Sequence, residues 1–402
     1  MNINTSEQPL SGIKVLELGQ LIAGPFASCI LGYFGAEVIK VESPQGGDPL
    51  RGWRNLDERG TSYWWQSIAR NKKSLTINLY TKEGREIVRE LIPKVDILIE
   101  NFKPGTMEKW GLSPKELKKI NKDLIYARVS GYGQTGPYKD KPGFASVCEG
   151  IGGFRYINGF KGMPPVRPNL SLGDTLAALN TVIGILLALN HKNKPTGSGQ
   201  VIDIAIYESV FNVLESIVPE YDGENQIREP SGSTLTGIVP TNTYECKDGR
   251  YVIIGANGDS IFKRLMNAIG RKDMADNHDY KNNVGRVKNE NIIDEAINEW
   301  TLNYNVEEII EKLTLVNVPC GPIYSVKEMF EDPHFIYREL FEEVSHLDSS
   351  LKIPAILPKL IDTPGRTKSP GPSLGMHNKE ILKNILGYQD NKILKLKENG
   401  II

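Results

Sequence analysis

The sequence predicts an α/β fold built on a largely parallel sheet, and three observations carry that prediction. Short apolar, β-rich runs alternate with helical segments from Ile13 as far as Ile206, the order that parallel strands joined by crossover helices produce. The first connections are compact enough for right-handed crossovers. At 402 residues the chain also exceeds the length one hydrophobic core usually serves, so a second lobe is expected.

Taken in order, Ile13–Leu18 (IKVLEL) reads as a strand, followed by a glycine turn and a helix that Pro25 opens and Tyr33 closes. Glu37–Glu42 (EVIKVE) reads as the second strand. Thr81–Pro93 is a charged amphipathic helix leading into the strand Asp96–Glu100 (DILIE). Pro114–Ile120 leads in the same way into Leu124–Ser130 (LIYARVS). After a glycine-rich stretch over 131–153, Asp174 stands where an N-cap belongs, ahead of Thr175–Asn190, the most apolar helix of the chain. Val201–Ile206 (VIDIAI) resumes strand character. From about Gly223 to Gly237 the chain turns polar and rich in Gly, Ser and Pro, as a linker does. A smaller α+β lobe then opens with a hairpin over Tyr244–Ile254, in which Asp248-Gly249 supplies a two-residue turn. Helices and short strands continue to about Tyr324. Pro354–Pro372 is proline-rich, and a last helical stretch, Asn378–Asn399, is expected to pack back on the first lobe. The division is therefore a large lobe over 1–222, a small lobe over 223–330, and a returning segment over 331–402.

Composition excludes several classes of partner. Lys plus Arg number 48 against 49 Asp plus Glu, so no global field attracts nucleic acid or an anionic membrane, and an anionic ligand must be held locally. Cys29, Cys148, Cys246 and Cys320 lack CxxC spacing, which argues against a zinc site or a disulfide framework and for the reducing cytoplasm. The polar start MNINTSEQPLSG lacks the order of a signal peptide. The longest uninterrupted apolar run, Thr181–Leu189, is too short to span a bilayer.

Among candidate chemistries, VLELGQLIAGP with Glu42 closing the next strand has the outline of a dinucleotide site. GxGxxG is absent, and Pro25 stands where such folds need a glycine. The five histidines, His191, His278, His334, His346 and His377, fall in polar surroundings that suit surface positions rather than a triad. Cys320, in VPCGP, reads as packing. Asn71, Lys72 and Lys73, then Asn101, Phe102 and Lys109, form polar, cationic loops beside strands. At the carboxyl edge of an open sheet Phe102 would stack on an adenine and Lys109 would neutralise phosphate. Asp174 serves either as a plain helix cap or as a nucleophile. A glycine-rich approach (SLGD) and a helix N-terminus favour its ionised form, and a carboxylate can attack a thioester.

Together these runs resemble the class III CoA-transferases, the family of formyl-CoA transferase, carnitine CoA-transferase and α-methylacyl-CoA racemase. The motifs are GIKVLELGQLIAGP, LGYFGAEVIKVE, GDPLRGW, NKKSLTINL, ENFKPGTMEKWGL, SGYGQTGP, SLGD, TGSGQVIDIAI, VPCGPI and PSLGMHN, in family order across nearly the whole chain. The resemblance implies a large Rossmann-like lobe and a small lobe in a ring-shaped chain, two rings interlocking as a homodimer. It implies Asp174 as the catalytic nucleophile. It places coenzyme A against Ile22 and Ala23, Ile77 to Tyr80, Asn101, Phe102 and Lys103, and Lys109, with Lys141 as the family's basic residue. Coenzyme A enters as the acyl-CoA co-substrate, and no metal or redox cofactor is required. The function implied is transfer of CoA from an acyl-CoA donor, succinyl-CoA being a candidate, to a small carboxylic acid through mixed anhydrides and an aspartyl-CoA thioester. Arg167 would pair with a distal carboxylate.

The chain also departs from the family. Phe144 stands where racemases carry a histidine and formyl-CoA transferases a tyrosine, Met376 replaces an acidic residue, and Ser43 stands where some members have a phosphate-binding arginine. The alternatives are an acyl-CoA racemase or epimerase, and a non-catalytic CoA-binding protein. Neither nucleic acid nor membrane is expected as a partner.

Overall fold

The computed structural model describes residues 7–402, so the first half of the leading polar segment in which no signal peptide is read lies outside the described residues. The chain forms two compact units. The first takes in the chain up to Phe154, Pro168–Glu215 and Tyr337–Ile402; the second takes in Arg155–Arg167 and Ser216–Ile336.

The first unit is built on six parallel strands, β1 (Lys14–Glu17), β2 (Glu37–Glu42), β3 (Lys72–Thr76), β4 (Ile97–Glu100), β5 (Ile125–Ser130) and β6 (Val201–Ala205), in the order β3-β2-β1-β4-β5-β6. The winding reverses between β1 and β4, and at such a switch point a crevice opens beyond the carboxyl ends of the strands. Val15, Leu16, Val38, Ile97, Leu98, Ile99 and Tyr126 are buried, as strands covered by helices on both faces require. Helix α1 (Ala23–Tyr33) follows β1. α2 (Lys82–Leu91) and α3 (Pro114–Ile120) start where the sequence gives them caps: Thr81 Oγ1 accepts the Gly84 N–H, and Ser113 and Glu116 form a capping box.

Strand β3 is absent from the sequence-based expectation, because its two leading lysines disguise it as a solvated loop. Lys72 is in fact buried, its Nζ 2.8 Å from the Glu17 carboxylate of β1. The outer edge of β3 is closed by the returning segment: His377 Nδ1 accepts the Ser74 N–H at 3.1 Å and Asn378 Oδ1 that of Thr76 at 2.8 Å. The last helical stretch is two helices, Asn378–Asn384 and Asp390–Glu398, broken where Gly387 takes φ +71° and Tyr388 turns into the core cluster that also holds Leu16 and Ile39. An antiparallel pair, β10 (Phe341–His346) and β11 (Ser349–Pro354), also belongs to this unit.

Further helices of this unit are α4 (Ala145–Ile151), α5 (Leu172–Lys192) and α6 (Ile206–Phe211). Helix α5 runs 21 residues, long and apolar enough by length and composition to cross a membrane, so the argument from the short apolar run does not hold. That run counts only unbroken apolar residues, whereas the helix continues through polar positions at both ends. Ala177, Ala178, Thr181, Ile185 and Ala188 bury one face against α1 and the sheet. Leu179, Ile183, Leu186 and Leu187 leave a second apolar face exposed.

The second unit carries a three-stranded antiparallel sheet, β7 (Thr241–Glu245), β8 (Tyr251–Gly255) and β9 (Cys320–Pro322), in the order β7-β8-β9. Val252 and Ile254 alternate inward to pack with Phe262, Leu265, Ile293, Ile297, Ile309 and Leu313. Its hairpin loop has three residues rather than two. The Cys246 N–H bonds the Arg250 carbonyl, and only Gly249, at φ +74°, is left-handed, which relieves Asp248 of a conformation costly for a side chain.

Candidate active site

The loop after β1 is held by groups from three neighbouring segments. Lys40 donates to the Gly19 carbonyl at 2.9 Å. Asn101 Oδ1 accepts the Gln20 N–H, and Asn101 Nδ2 donates to the Gln20 carbonyl, both at 2.8 Å. Leu21 sits at φ +64°, and its N–H is held by both oxygens of Asp48 at 3.1 and 3.2 Å. A left-handed leucine costs roughly 1 kcal/mol, so this loop keeps its shape through those bonds rather than by local preference. Asn101 therefore bridges the switch point and fixes the turn that delivers Ile22 and Ala23 to the start of α1. Both residues are buried, and Ala23 packs with Ala145, Cys148, Ala177 and Ile206.

Beside that loop lies a cleft bounded by Gln20, Ser43, Ile77, Asn78, Tyr80, Phe102 and Trp110. The Trp110 ring meets Tyr80 edge-on at 5.8 Å and Phe102 at 5.1 Å, while Tyr80 is 85% exposed. Phe102 is anchored through its N–H to the buried Glu100, which Arg128 pairs at 2.8 Å. Lys103 and Lys109 are exposed on the same stretch, whereas Ile77 is a buried wall. Trp110 was not singled out from the sequence, although it closes the ENFKPGTMEKW run.

Asp174 is not the N-cap of α5. That position is Ser171, whose carbonyl accepts both the Thr175 N–H at 3.1 Å and Thr175 Oγ1 at 2.9 Å. Leu172 and Gly173 are already helical. Asp174 stands at the third helical residue, half-buried, still within the first turn where unpaired N–H groups favour negative charge. Gly173 allows close packing here: a Cβ would lie 3.1 Å from Ile206 Cγ2 and 3.4 Å from both Ala145 Cβ and Glu149 Cγ. The adjoining Cys148 thiol is pushed up to about 11 by burial and then by the Asp174 charge. Lys141 is exposed, with its ammonium 3.5 Å over the Tyr138 ring. Tyr138 meets Tyr132 at 6.0 Å, and Tyr132 meets Tyr207 at 5.9 Å.

Other sequence candidates fall elsewhere. Glu42 is buried against Arg51 (2.7 Å) and Ser74 (2.6 Å), which leaves it no role as a ribose ligand. His346 is buried 3.6 Å from Asp57, and His377 holds β3, so neither occupies the surface position expected of it. Arg167 is exposed and Cys320 half-buried, both in the second unit. Phe144 is 70% exposed. Among the described residues no three His, Cys, Asp or Glu side chains converge as a metal site requires.

Comparison with known proteins places the whole chain in one family. The family model for CoA-transferase family III matches residues 10–378. The chain is 44% identical over 403 residues to a succinyl-CoA–D-citramalate CoA-transferase of Chloroflexus aurantiacus, covering all of both chains. It is 34% identical to a succinate–glutarate CoA-transferase of Agrobacterium fabrum, covering 94% of this chain and 96% of that one. Among solved structures it is similar to a CAIB/BAIF family protein from Brucella suis. The TM-score is 0.84 at 32% identity, over 94% of this chain and 100% of the other.

Proposed function

Because the chain belongs to CoA-transferase family III and is an enzyme that transfers CoA, we propose that it moves CoA from succinyl-CoA to a small carboxylic acid, with Asp174 as the covalent carrier. The observation that supports the reading is a half-buried carboxylate in the first turn of α5, beside Ile206 at the carboxyl edge of the sheet, the edge on which the proposed coenzyme A cleft also opens. The donor is argued from the similar proteins, which are named for succinyl-CoA or succinate with citramalate and glutarate as the other acid.

In this reading the Asp174 carboxylate attacks the thioester carbonyl, the C–S bond breaks, and CoA thiolate leaves a mixed anhydride. The thiolate attacks the aspartyl carbonyl, succinate departs, and an aspartyl-CoA thioester remains. An acceptor carboxylate attacks that carbonyl and releases thiolate, which then takes the new acyl group and frees Asp174. One thioester is exchanged for another, so the sequence needs no outside energy source. The positive end of the α5 dipole lowers the cost of the oxyanions. The adenine lies in the cleft of Tyr80, Phe102 and Trp110, with Lys103, Lys109 and Lys141 toward the phosphates and Ile22 and Ala23 along the pantetheine arm.

Incubation with succinyl-CoA and a panel of dicarboxylic and hydroxy acids, read by mass spectrometry, tests the function. A new acyl-CoA with free succinate supports it, and an untouched donor across the panel refutes it. For the adenine, aromatic stacking worth about 1–3 kcal/mol predicts that Trp110→Ala raises KM for acyl-CoA roughly 5- to 150-fold with kcat within about threefold. An unchanged KM would move the adenine elsewhere. The exposed leucine and isoleucine face of α5 supports an interlocked homodimer, since such a stripe normally finds a partner. Light scattering should give twice the 44.8 kDa chain mass, and a monomer would refute it. Four cysteines, all thiols, support the cytoplasm as its place.

A further inference from the structure

We propose that Glu149 is a positioning residue for Asp174: its carboxylate stands in for the missing side-chain cap of α5 and locks the turn that carries the nucleophile. The inference rests on the aspartyl-carrier reading and adds to it the means by which the carrier is held.

The first turn of a helix leaves N–H groups without intrahelical partners, and the residue at the cap normally satisfies one of them. Here Ser171 occupies the cap but its side chain makes no such bond. The N–H of Gly173 goes instead to Glu149 Oε1, 3.2 Å away on helix α4, and Glu149 is wholly buried. The two helices touch closely at this point, because Gly173 has no Cβ to hold them apart. Ala145, also on α4, comes equally close, since a Cβ on Gly173 would lie 3.4 Å from its own Cβ, so α4 lies against the turn that carries Asp174. Nothing in a carboxylate-to-carboxylate CoA exchange calls for a proton to be moved, so a second buried carboxyl group here has no acid–base task. Its evident task is geometric. The Asp174 carbonyl carbon must meet thiolate and carboxylate in turn from one fixed place, and a misplacement of about 1 Å can cost on the order of 100-fold in rate.

The test compares Glu149→Ala with Glu149→Gln, which keeps an oxygen for the Gly173 N–H. Glu149→Ala should lower kcat roughly 10- to 100-fold while KM for acyl-CoA stays within about twofold, and hydroxylamine capture of Asp174 should slow in step. Glu149→Gln should return kcat to within about threefold of the parent. A Glu149→Ala enzyme with parental kcat overturns the proposal, as does a folded Glu149→Gln enzyme as impaired as Glu149→Ala. If Glu149→Ala does not fold, the Gln variant alone decides: near-parental activity supports positioning through the acceptor oxygen, and a folded, inactive protein refutes it. Asp174→Ala in the same assay separates the two readings. An active Asp174→Ala enzyme defeats the carrier itself, whereas inactivity there beside an unimpaired Glu149→Ala enzyme defeats only the role of Glu149.

Discussion

Asp174→Ala is expected to lower kcat for CoA transfer by on the order of 10⁴- to 10⁶-fold, the range in which removal of a covalent nucleophile falls in other enzymes. The change should leave the protein folded. Asp174 is half-buried, at the third position of a helix whose packed face is formed by Ala177, Ala178, Thr181, Ile185 and Ala188, and alanine is a better helix former than aspartate. Loss of a first-turn charge costs at most about 2 kcal/mol, too little to unfold a domain with this core. KM for acyl-CoA should change little, since the proposed adenine cleft is formed by other loops. Asp174→Glu sharpens the test: it keeps a carboxylate but moves it by one methylene, which should still cost roughly 100-fold. Hydroxylamine in the presence of succinyl-CoA should modify the parent at Asp174 and neither variant at comparable rate. Normal turnover by Asp174→Ala would remove the carrier mechanism outright.

How far the sequence disclosed this arrangement depended on where each residue finds its partners. β1, β2, β4 and β5 were legible because a strand covered on both faces is a short apolar run. β3 was not, because Lys72 and Lys73 look solvated until Glu17, 55 residues earlier in the chain, is seen to neutralise the first of them. Asp174 was legible as an acidic residue ahead of an apolar helix. Its exact station was not, since nothing local announces that Leu172 and Gly173 are already helical. The same limit hid Glu149, whose bond to Gly173 spans 24 residues, and Asp48, whose carboxylate shapes a loop 27 residues away. Trp110 was the exception. It lay inside a quoted motif and needed only the thought that an aromatic after a helical turn at a strand end faces a cleft. His346 and His377 misled for the opposite reason, because polar neighbours in sequence do not imply a surface position in space.

Glu17→Gln is expected to destabilise the first unit by about 3–5 kcal/mol, the cost of leaving buried charge without its counter-ion. Glu17 is completely buried at the end of β1 and receives Lys40 Nζ at 2.7 Å, Lys72 Nζ at 2.8 Å and Ser28 Oγ at 2.5 Å. Lys40 has a second carboxylate, Asp48 at 2.8 Å, whereas Lys72 otherwise has, among the described residues, only the Pro25 carbonyl at 2.6 Å. That asymmetry explains why the lysines shift in opposite senses. Burial lowers both, but the carboxylates of Glu17, Asp48 and Glu42 carry Lys40 well above its usual range, while Lys72, with Glu17 alone and the Lys40 charge nearby, ends below it. Glutamine in place of Glu17 would strand Lys72. Burial would raise the Glu17 carboxyl by itself, yet the two ammoniums outweigh it and hold the group at about 2, against an ordinary 4.5. A depressed acid contributes stability that is complete above its unfolded value and fades as pH falls through the folded one. The deficit of Glu17→Gln against the parent should therefore be full at pH 7, shrink from about pH 4.5 downward, and be largely gone near pH 2. Urea midpoints of both proteins at neutral pH and at pH 3 measure this. A deficit that stays constant across that window would mean that Glu17 holds the sheet by shape rather than by charge. Because Lys40 and Asp48 also grip Gly19 and Leu21, the variant should lose affinity for acyl-CoA under conditions in which it is still folded.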